Sequence, residues 1–254
     1  MAYDFHDFIS RTQCHNSLVS LYVSNRYAHF DFDAELFKSL ETVVFQATQQ
    51  DREDEIASFV DLYKSAFTSL LRAKTNIQRM AFKAVVRDTT FQVPPDIGCT
   101  NLRWLFLGVE IDFKSMLRLL SNLKHLIELE LNVDYHYFYR YGNGRVDTAE
   151  YVDELHPPQA DYPPVSSTLR HFTCHLHNPR RRRCYTVAYA FELALHLPAL
   201  ECMTLGVDKE GDVVFFEALL GRFLEELSGS PYMNDGLLNA KVIECSSTPW
   251  FRYP

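Results

Sequence analysis

The amino-acid sequence predicts an α/β fold, a right-handed solenoid of strand–helix units with a parallel sheet on its concave side. A short apolar pattern recurs along most of the chain, and stretches with helical periodicity lie between its copies. The 254 residues, of which 47% are hydrophobic, suffice for one large core. We therefore predict a single domain spanning residues 1–254.

The recurring pattern is apolar-x-x-apolar-x-apolar, and its last apolar positions alternate as in a strand with one buried face. Successive copies are separated by 22, 37, 25, 24, 43, 31 and 37 residues. Several of these intervals fit the period of about 20–29 residues typical of strand–helix repeats. The eight copies begin at Leu18, Leu40, Ile77, Leu102, Leu126, Leu169, Leu200 and Leu237.

Helical periodicity is clearest over residues 51–73, where apolar side chains recur at spacings of three and four. A second helix is predicted to follow Asp112, which suits an N-cap. Two more are predicted over residues 185–196 and 212–227. Strands that alternate with helices indicate a parallel sheet.

Residues 135–165 interrupt this rhythm with a run of aromatic residues, a Gly-Asn-Gly turn and four prolines. The strand pattern resumes after them with the same signature. We interpret the stretch as an insertion or long loop within the domain, with a short helix over residues 147–155. The alternative is a linker between two halves of the chain.

Two segments, residues 102–107 (LRWLFL) and 126–132 (LIELELN), resemble the strand of a leucine-rich repeat. Residues 121–126 (SNLKHL) and 197–201 (LPALE) resemble the joint between helix and strand in such repeats. The chain thus resembles the divergent leucine-rich repeats of the ribonuclease-inhibitor-like and F-box-associated superfamily, including fungal forms. The resemblance implies a horseshoe whose concave sheet face binds a protein.

Residues between the pattern positions should point out of the sheet, onto that concave face. An aromatic pair there is flanked by charges of both signs, which is typical of a binding hot spot. The alternative is that a neighbouring loop covers the aromatic pair. The candidate binding residues are Arg79, Lys83, Trp104, Phe106, Glu128, Glu130, His171 and His175.

The histidines do not predict a metal site. Four residues along one strand separate His171 from His175, so their Cα atoms should lie about 13 Å apart. One zinc ion cannot bind ligands that far apart. We expect no metal ligands and no cofactor.

The run Arg180, Arg181, Arg182 and Arg183 is predicted to lie on a strand-to-helix loop. It suits a nuclear-targeting signal or a contact with an acidic partner. The net charge of −8 argues against general attraction to nucleic acid or anionic membranes, so the expected partner is a protein.

Six cysteines without a Cys-x-x-Cys pair indicate reduced thiols. The chain shows no signal peptide and no apolar run of about 18 residues that would span a membrane. These features predict a monomeric cytoplasmic or nuclear protein.

Motifs of hydrolases, nucleotide-binding loops and zinc proteases are absent, so the chain is predicted not to be an enzyme. The favoured function is a non-enzymatic protein–protein interaction module. One alternative is a parallel α/β enzyme of unrecognised class, whose strand order would reverse at a ligand-binding switch point. Others are a fragment of a longer repeat protein, or an F-box-type substrate adaptor fragment that lacks its F-box.

Overall fold

The computed structural model describes residues 16–24, 34–46, 53–83, 91–108, 111–133, 162–176, 183–207 and 210–245. The chain divides into two compact units, Met1–Leu126 and Ile127–Pro254. Each unit contains parallel strands.

The N-terminal unit has four strands in a parallel sheet, in the order β1-β2-β3-β4. Pattern residues occupy equivalent positions, so that Leu21, Val43, Met80 and Leu105 are aligned across the sheet. The elements are β1 (Ser20–Ser24), a 3-10 turn (Ala34–Leu36), β2 (Thr42–Gln46), α1 (Glu53–Arg72), β3 (Arg79–Lys83), β4 (Trp104–Leu107) and α2 (Phe113–Asn122).

The C-terminal unit repeats this plan with strand order β5-β6-β7-β8, again all parallel. Leu129, Phe172 and Met203 are aligned, as are Leu131, Cys174 and Leu205. The elements are β5 (Glu128–Val133), β6 (His171–Leu176), α3 (Arg183–Leu195), β7 (Cys202–Val207), α4 (Glu210–Glu226), α5 (Asp235–Leu238) and β8 (Lys241–Glu244).

These observations confirm the predicted α/β class with parallel strands. Within each unit the strands follow the order of the sequence, which is compatible with a solenoid. The helices predicted over residues 51–73, 185–196 and 212–227 begin and end within about two residues of the observed ones. The helix predicted to follow Asp112 begins at Phe113. Asp112 is an N-cap, as predicted, because its Oδ1 accepts a hydrogen bond of 2.9 Å from the Ser115 amide.

The entrance to the strands has a repeated hydrogen-bond arrangement. The carbonyl oxygen of the residue that precedes one strand accepts hydrogen bonds from two successive backbone amides, which lie where the next strand of the sheet begins. The accepting carbonyls belong to Val19, Glu41, Gln78, Ile127 and Arg170. Equivalent positions in different copies therefore have equivalent backbone contacts, as expected of structural repeats.

The joint that precedes a strand is also repeated. In the sequence Leu123-Lys-His-Leu126, the Leu126 amide donates to the Leu123 carbonyl over 3.2 Å. Leu197 and Leu200 form the same turn over 3.0 Å, and all four leucines are buried. This turn anchors both of its ends in the core, which fixes where the next strand begins.

Each core combines the pattern side chains with one helix face. In the N-terminal unit, Phe45 and Phe82 meet Tyr63 and Phe67 of α1, and all four are fully buried. In the C-terminal unit, α3 and α4 meet through stacked Phe191 and Phe223 rings with centroids 4.2 Å apart.

The predicted insertion lies outside the described residues up to residue 161, as does its predicted short helix. Residues 162–165, at its end, form no regular secondary structure. None of the described helices is both long and apolar enough to cross a membrane.

Candidate functional site

The outward face of the N-terminal sheet consists of two main cross-strand rows. Ser20, Thr42, Arg79 and Trp104 form the first row. Tyr22, Val44, Ala81 and Phe106 form the second.

Two cations of this face lie over aromatic rings. The Arg79 guanidinium carbon is 5.0 Å from the centre of the Trp104 ring, and the Lys83 ammonium is 5.5 Å from that of Phe106. The two aromatic ring centroids are 6.4 Å apart. Register explains the first pair, because Arg79 and Trp104 are direct neighbours on adjacent strands. We call these four residues the cation–aromatic patch.

Exposure differs within the patch. Arg79 is exposed, whereas Trp104 and Lys83 are half-buried. The prediction that Phe106 is exposed is wrong, since only 2% of it is accessible. The ring lies beside Ala81 of the adjacent strand and beneath the Lys83 ammonium. Phe106 therefore supports the patch, and Arg79, Trp104 and Lys83 provide its accessible surface.

The outward face of the C-terminal unit carries the other predicted residues. Glu128 and His171 are direct neighbours and both are exposed, as predicted. Glu130 is half-buried. We predicted one continuous surface from the aromatic pair to the acidic pair, Glu128 and Glu130. That surface would involve both units, so it stays a prediction for Trp104 and Phe106.

The prediction that His175 is exposed is wrong, because only 9% of this residue is accessible. Both of its ring nitrogens have partners. Nε2 lies 2.9 Å from Glu130 Oε1, and Nδ1 lies 3.7 Å from the Cys245 sulfur. These contacts fix the orientation of the imidazole ring on the sheet.

Gly206 and Cys245 lie beside His175, and Tyr22 of β1 is 56% exposed. Tyr22 and Gly206 were predicted to point out of the sheet, but none of the three was among the candidate binding residues. One signal was present for this cluster, because a glycine within a strand often marks a close approach of other groups. Cys245 carried no signal, since it lies 70 residues from His175 in the sequence.

The predicted basic run falls mainly outside the described residues, which do not include Arg180, Arg181 or Arg182. Arg183 is the first residue of α3. Within the described part of the chain, no group of three or more His, Cys, Asp or Glu side chains is arranged to hold a metal ion.

An open polar groove of about 340 Å³ also lies in the N-terminal unit. Most of its side chains are exposed and therefore solvated, so it lacks the enclosed apolar lining of a small-molecule site. Its lining residues are Glu41, Asn76, Gln78, Asn101, Arg103 and His125.

Comparison with known proteins found no match among protein-family models, curated proteins or solved structures. The class that the structure defines is an α/β protein with parallel strands in sequence order.

Proposed function

We propose that the chain is a non-enzymatic protein-binding module of the leucine-rich-repeat type, and that it binds an acidic protein partner through the cation–aromatic patch. The observation that carries the proposal is the exposed Arg79 guanidinium held over the half-buried Trp104 ring.

Strand order supports this class over the parallel α/β enzyme. A doubly wound sheet binds ligands where its strand order reverses. Neither β1–β4 nor β5–β8 contains such a reversal. The repeated strand-entry hydrogen bonds also support stacked repeats, which commonly use their sheet face for binding.

The patch is preorganised for binding. Stacking on Trp104 restricts the Arg79 side chain, so less conformational entropy is lost when a partner binds. The planar guanidinium can still donate two parallel hydrogen bonds to a carboxylate. Arg and Trp are also among the residues most enriched in interface hot spots.

The charge of the patch selects the partner. Arg79 and Lys83 are both cationic, so the neighbourhood of Trp104 favours Asp and Glu side chains on the partner. The exposed Tyr22 adds an amphipathic side chain on the same face.

The proposal is tested by capturing partners from a native lysate with the wild-type chain and with matched variants. Arg79→Glu reverses the charge in the patch, and Lys124→Glu reverses an exposed charge in the turn after α2. We expect Arg79→Glu and Trp104→Ala to weaken binding of the captured partner by about tenfold or more. Lys124→Glu should leave binding near the wild-type value.

Circular dichroism of each variant verifies the fold. Phe106→Ala is not a clean test, because this ring is buried and its loss would disturb packing. The proposal fails if every captured partner binds the Arg79→Glu and Trp104→Ala variants as tightly as it binds the wild type.

A further inference from the structure

Three side chains from separate parts of the C-terminal unit form a chain of contacts on its outward face. Glu130 comes from β5, His175 from β6, and Cys245 directly follows β8. The Glu130 carboxylate is 2.9 Å from His175 Nε2, and the Cys245 sulfur is 3.7 Å from His175 Nδ1. The imidazole therefore lies between an acid and a thiol.

The chemistry of these groups fixes the direction of the hydrogen bonds. An ionised carboxylate only accepts hydrogen bonds, so His175 Nε2 donates to Glu130. In the neutral imidazole, Nδ1 then carries a lone pair that can take the thiol proton of Cys245. The order of thiol, imidazole and orienting carboxylate is that of an activated nucleophile.

Gly206 makes this arrangement possible. It is the direct neighbour of His175 on β7. A Cβ atom at this position would lie 2.6 Å from the Cys245 sulfur and 2.7 Å from His175 Nδ1, inside the contact distance of both. A side chain at this position would therefore force the thiol or the imidazole to move from its present position.

A buried polar atom also lies on the strand next to His175. Asn132 is the neighbour of His175 on β5, and its buried Oδ1 has no hydrogen-bond partner among the residues that the structure describes. A buried acceptor of this kind costs free energy unless something donates to it. A bound reactant with a donor group would satisfy it.

We propose that Cys245 is a nucleophilic thiol, with His175 as its base and Glu130 as the positioning residue, which reacts with disulfides of low-molecular-weight thiols. The Cys245 proton passes to His175 Nδ1, and the thiolate attacks one sulfur of the small disulfide. A new S–S bond forms as the old one breaks, and the departing thiolate takes up a proton. Cys245 and one half of the reactant are then joined as a mixed disulfide.

Other described cysteines provide internal references. Burial raises the pKa of both the Cys99 and the Cys174 thiol to about 12, so both should stay protonated and inert. Cys202 is the better reference, because its exposure is intermediate like that of Cys245. Its sulfur lies 4.0 Å from the Thr204 hydroxyl, which is no base.

The first experiment measures alkylation of the folded chain by iodoacetamide at neutral pH, with peptide mass spectrometry to follow each cysteine. We expect Cys245 to react about tenfold faster than Cys202 in the same molecules, since a histidine neighbour raises the thiolate fraction. Separate incubation of the unalkylated chain with glutathione disulfide should place the mixed disulfide on Cys245. Equal rates at the two cysteines would overturn the proposal.

Variants show whether Cys245 reacts quickly because His175 activates its thiol or only because the thiol is exposed. His175→Gln and Gly206→Ala should each reduce the Cys245 rate to that of Cys202. Glu130→Gln should lower the ultraviolet absorbance of the thiolate, and the Cys245→Ser variant defines the baseline for that absorbance. Unchanged Cys245 rates in folded His175→Gln protein would also overturn the proposal. The site lies outside the cation–aromatic patch, so either proposal can fail alone.

Discussion

The aromatic rings of Phe45 and Phe82 are parallel, with centroids 5.2 Å apart and an interplanar angle of 1°. The two residues are direct partners on β2 and β3. Parallel strands in register place equivalent side chains about 4.8 Å apart, which allows identical rings to stack. Tyr63 and Phe67 then meet Phe82 edge-on from α1.

Phe82→Ala should lower the free energy of unfolding by roughly 3–5 kcal/mol, because it leaves a cavity among the Phe45, Tyr63 and Phe67 rings. Phe82→Leu keeps most of the volume and should cost less. Denaturant unfolding followed by circular dichroism measures both variants. Similar midpoints for the Ala variant and the wild type would contradict the packing described.

A second prediction concerns the glycine that touches the end of α1. The Gly98 amide donates to the Leu71 carbonyl over 2.7 Å, and a Cβ on Gly98 would collide with the Arg72 carbonyl oxygen. The obstacle is backbone, so it cannot move aside as a side chain would. Gly98→Ala should cost about 1–3 kcal/mol.

Gly221 provides the matched control, since it lies exposed within α4 and an added Cβ would meet nothing within 4 Å. Alanine favours helix over glycine by about 1 kcal/mol, so Gly221→Ala should stabilise the chain. Thermal unfolding of the two variants should therefore shift in opposite directions. Two shifts of the same sign would count against this account.

A third prediction distinguishes two N-caps. Asn234 accepts from the Leu237 amide over 2.9 Å at the start of α5, and its Nδ2 donates to the Ala194 and Leu197 carbonyls. Asn234→Asp keeps the acceptor but turns a carboxylate oxygen toward two carbonyl oxygens. We expect a clear loss of stability, because two donated hydrogen bonds become repulsive contacts.

The reverse exchange at the other cap is the control. Asp112→Asn retains an acceptor for the Ser115 amide and should change stability by only a few tenths of a kcal/mol. Asp112→Ala removes that acceptor and should cost about 1 kcal/mol. Chemical denaturation measures the free energy of unfolding of all three variants. If Asn234→Asp were as stable as Asp112→Asn, the hydrogen bonds that Asn234 donates at the end of α3 would be contradicted.

The strands were predictable because their pattern is local. A strand with one buried face alternates with period two, so pattern leucines such as Leu105 and Leu129 revealed both position and register. The Asp112 cap followed from a residue preference within one turn. The helices followed from apolar periodicity in the same way.

The burial of individual outward residues was not predictable. Alternation tells which way Phe106 and His175 point, but not whether a neighbour's side chain covers them. The contact between His175 and Cys245 depends on residues 70 positions apart and on a glycine between them. Such contacts arise from strand order and register, which a local pattern does not encode.

The last prediction concerns the half-buried Glu192 of α3. Burial raises the pKa of its carboxyl, and the charge of nearby His196 opposes this only in part. Burial raises the pKa of the nearby Tyr162 phenol to about 12, and the charge of Glu192 adds to that rise. In the folded chain, Glu192 therefore holds its proton to higher pH than it does in the unfolded chain.

The sign of the pH dependence follows from this shift. When the pKa of a carboxyl is higher in the folded chain than in the unfolded chain, its contribution to stability is complete at pH values below the unfolded-state pKa. That contribution is lost as the pH rises through the folded-state pKa. Glu192→Gln cannot ionise, so it should become more stable relative to the wild type as pH rises from about 4 to about 8. Thermal unfolding across that range measures the difference. Glu217→Gln, at an exposed position of α4, controls for the loss of one negative charge. The account would be contradicted if the gain in stability of Glu192→Gln over the wild type were the same at every pH, or equal to that of Glu217→Gln. Burial would then not determine the pKa of the Glu192 carboxyl.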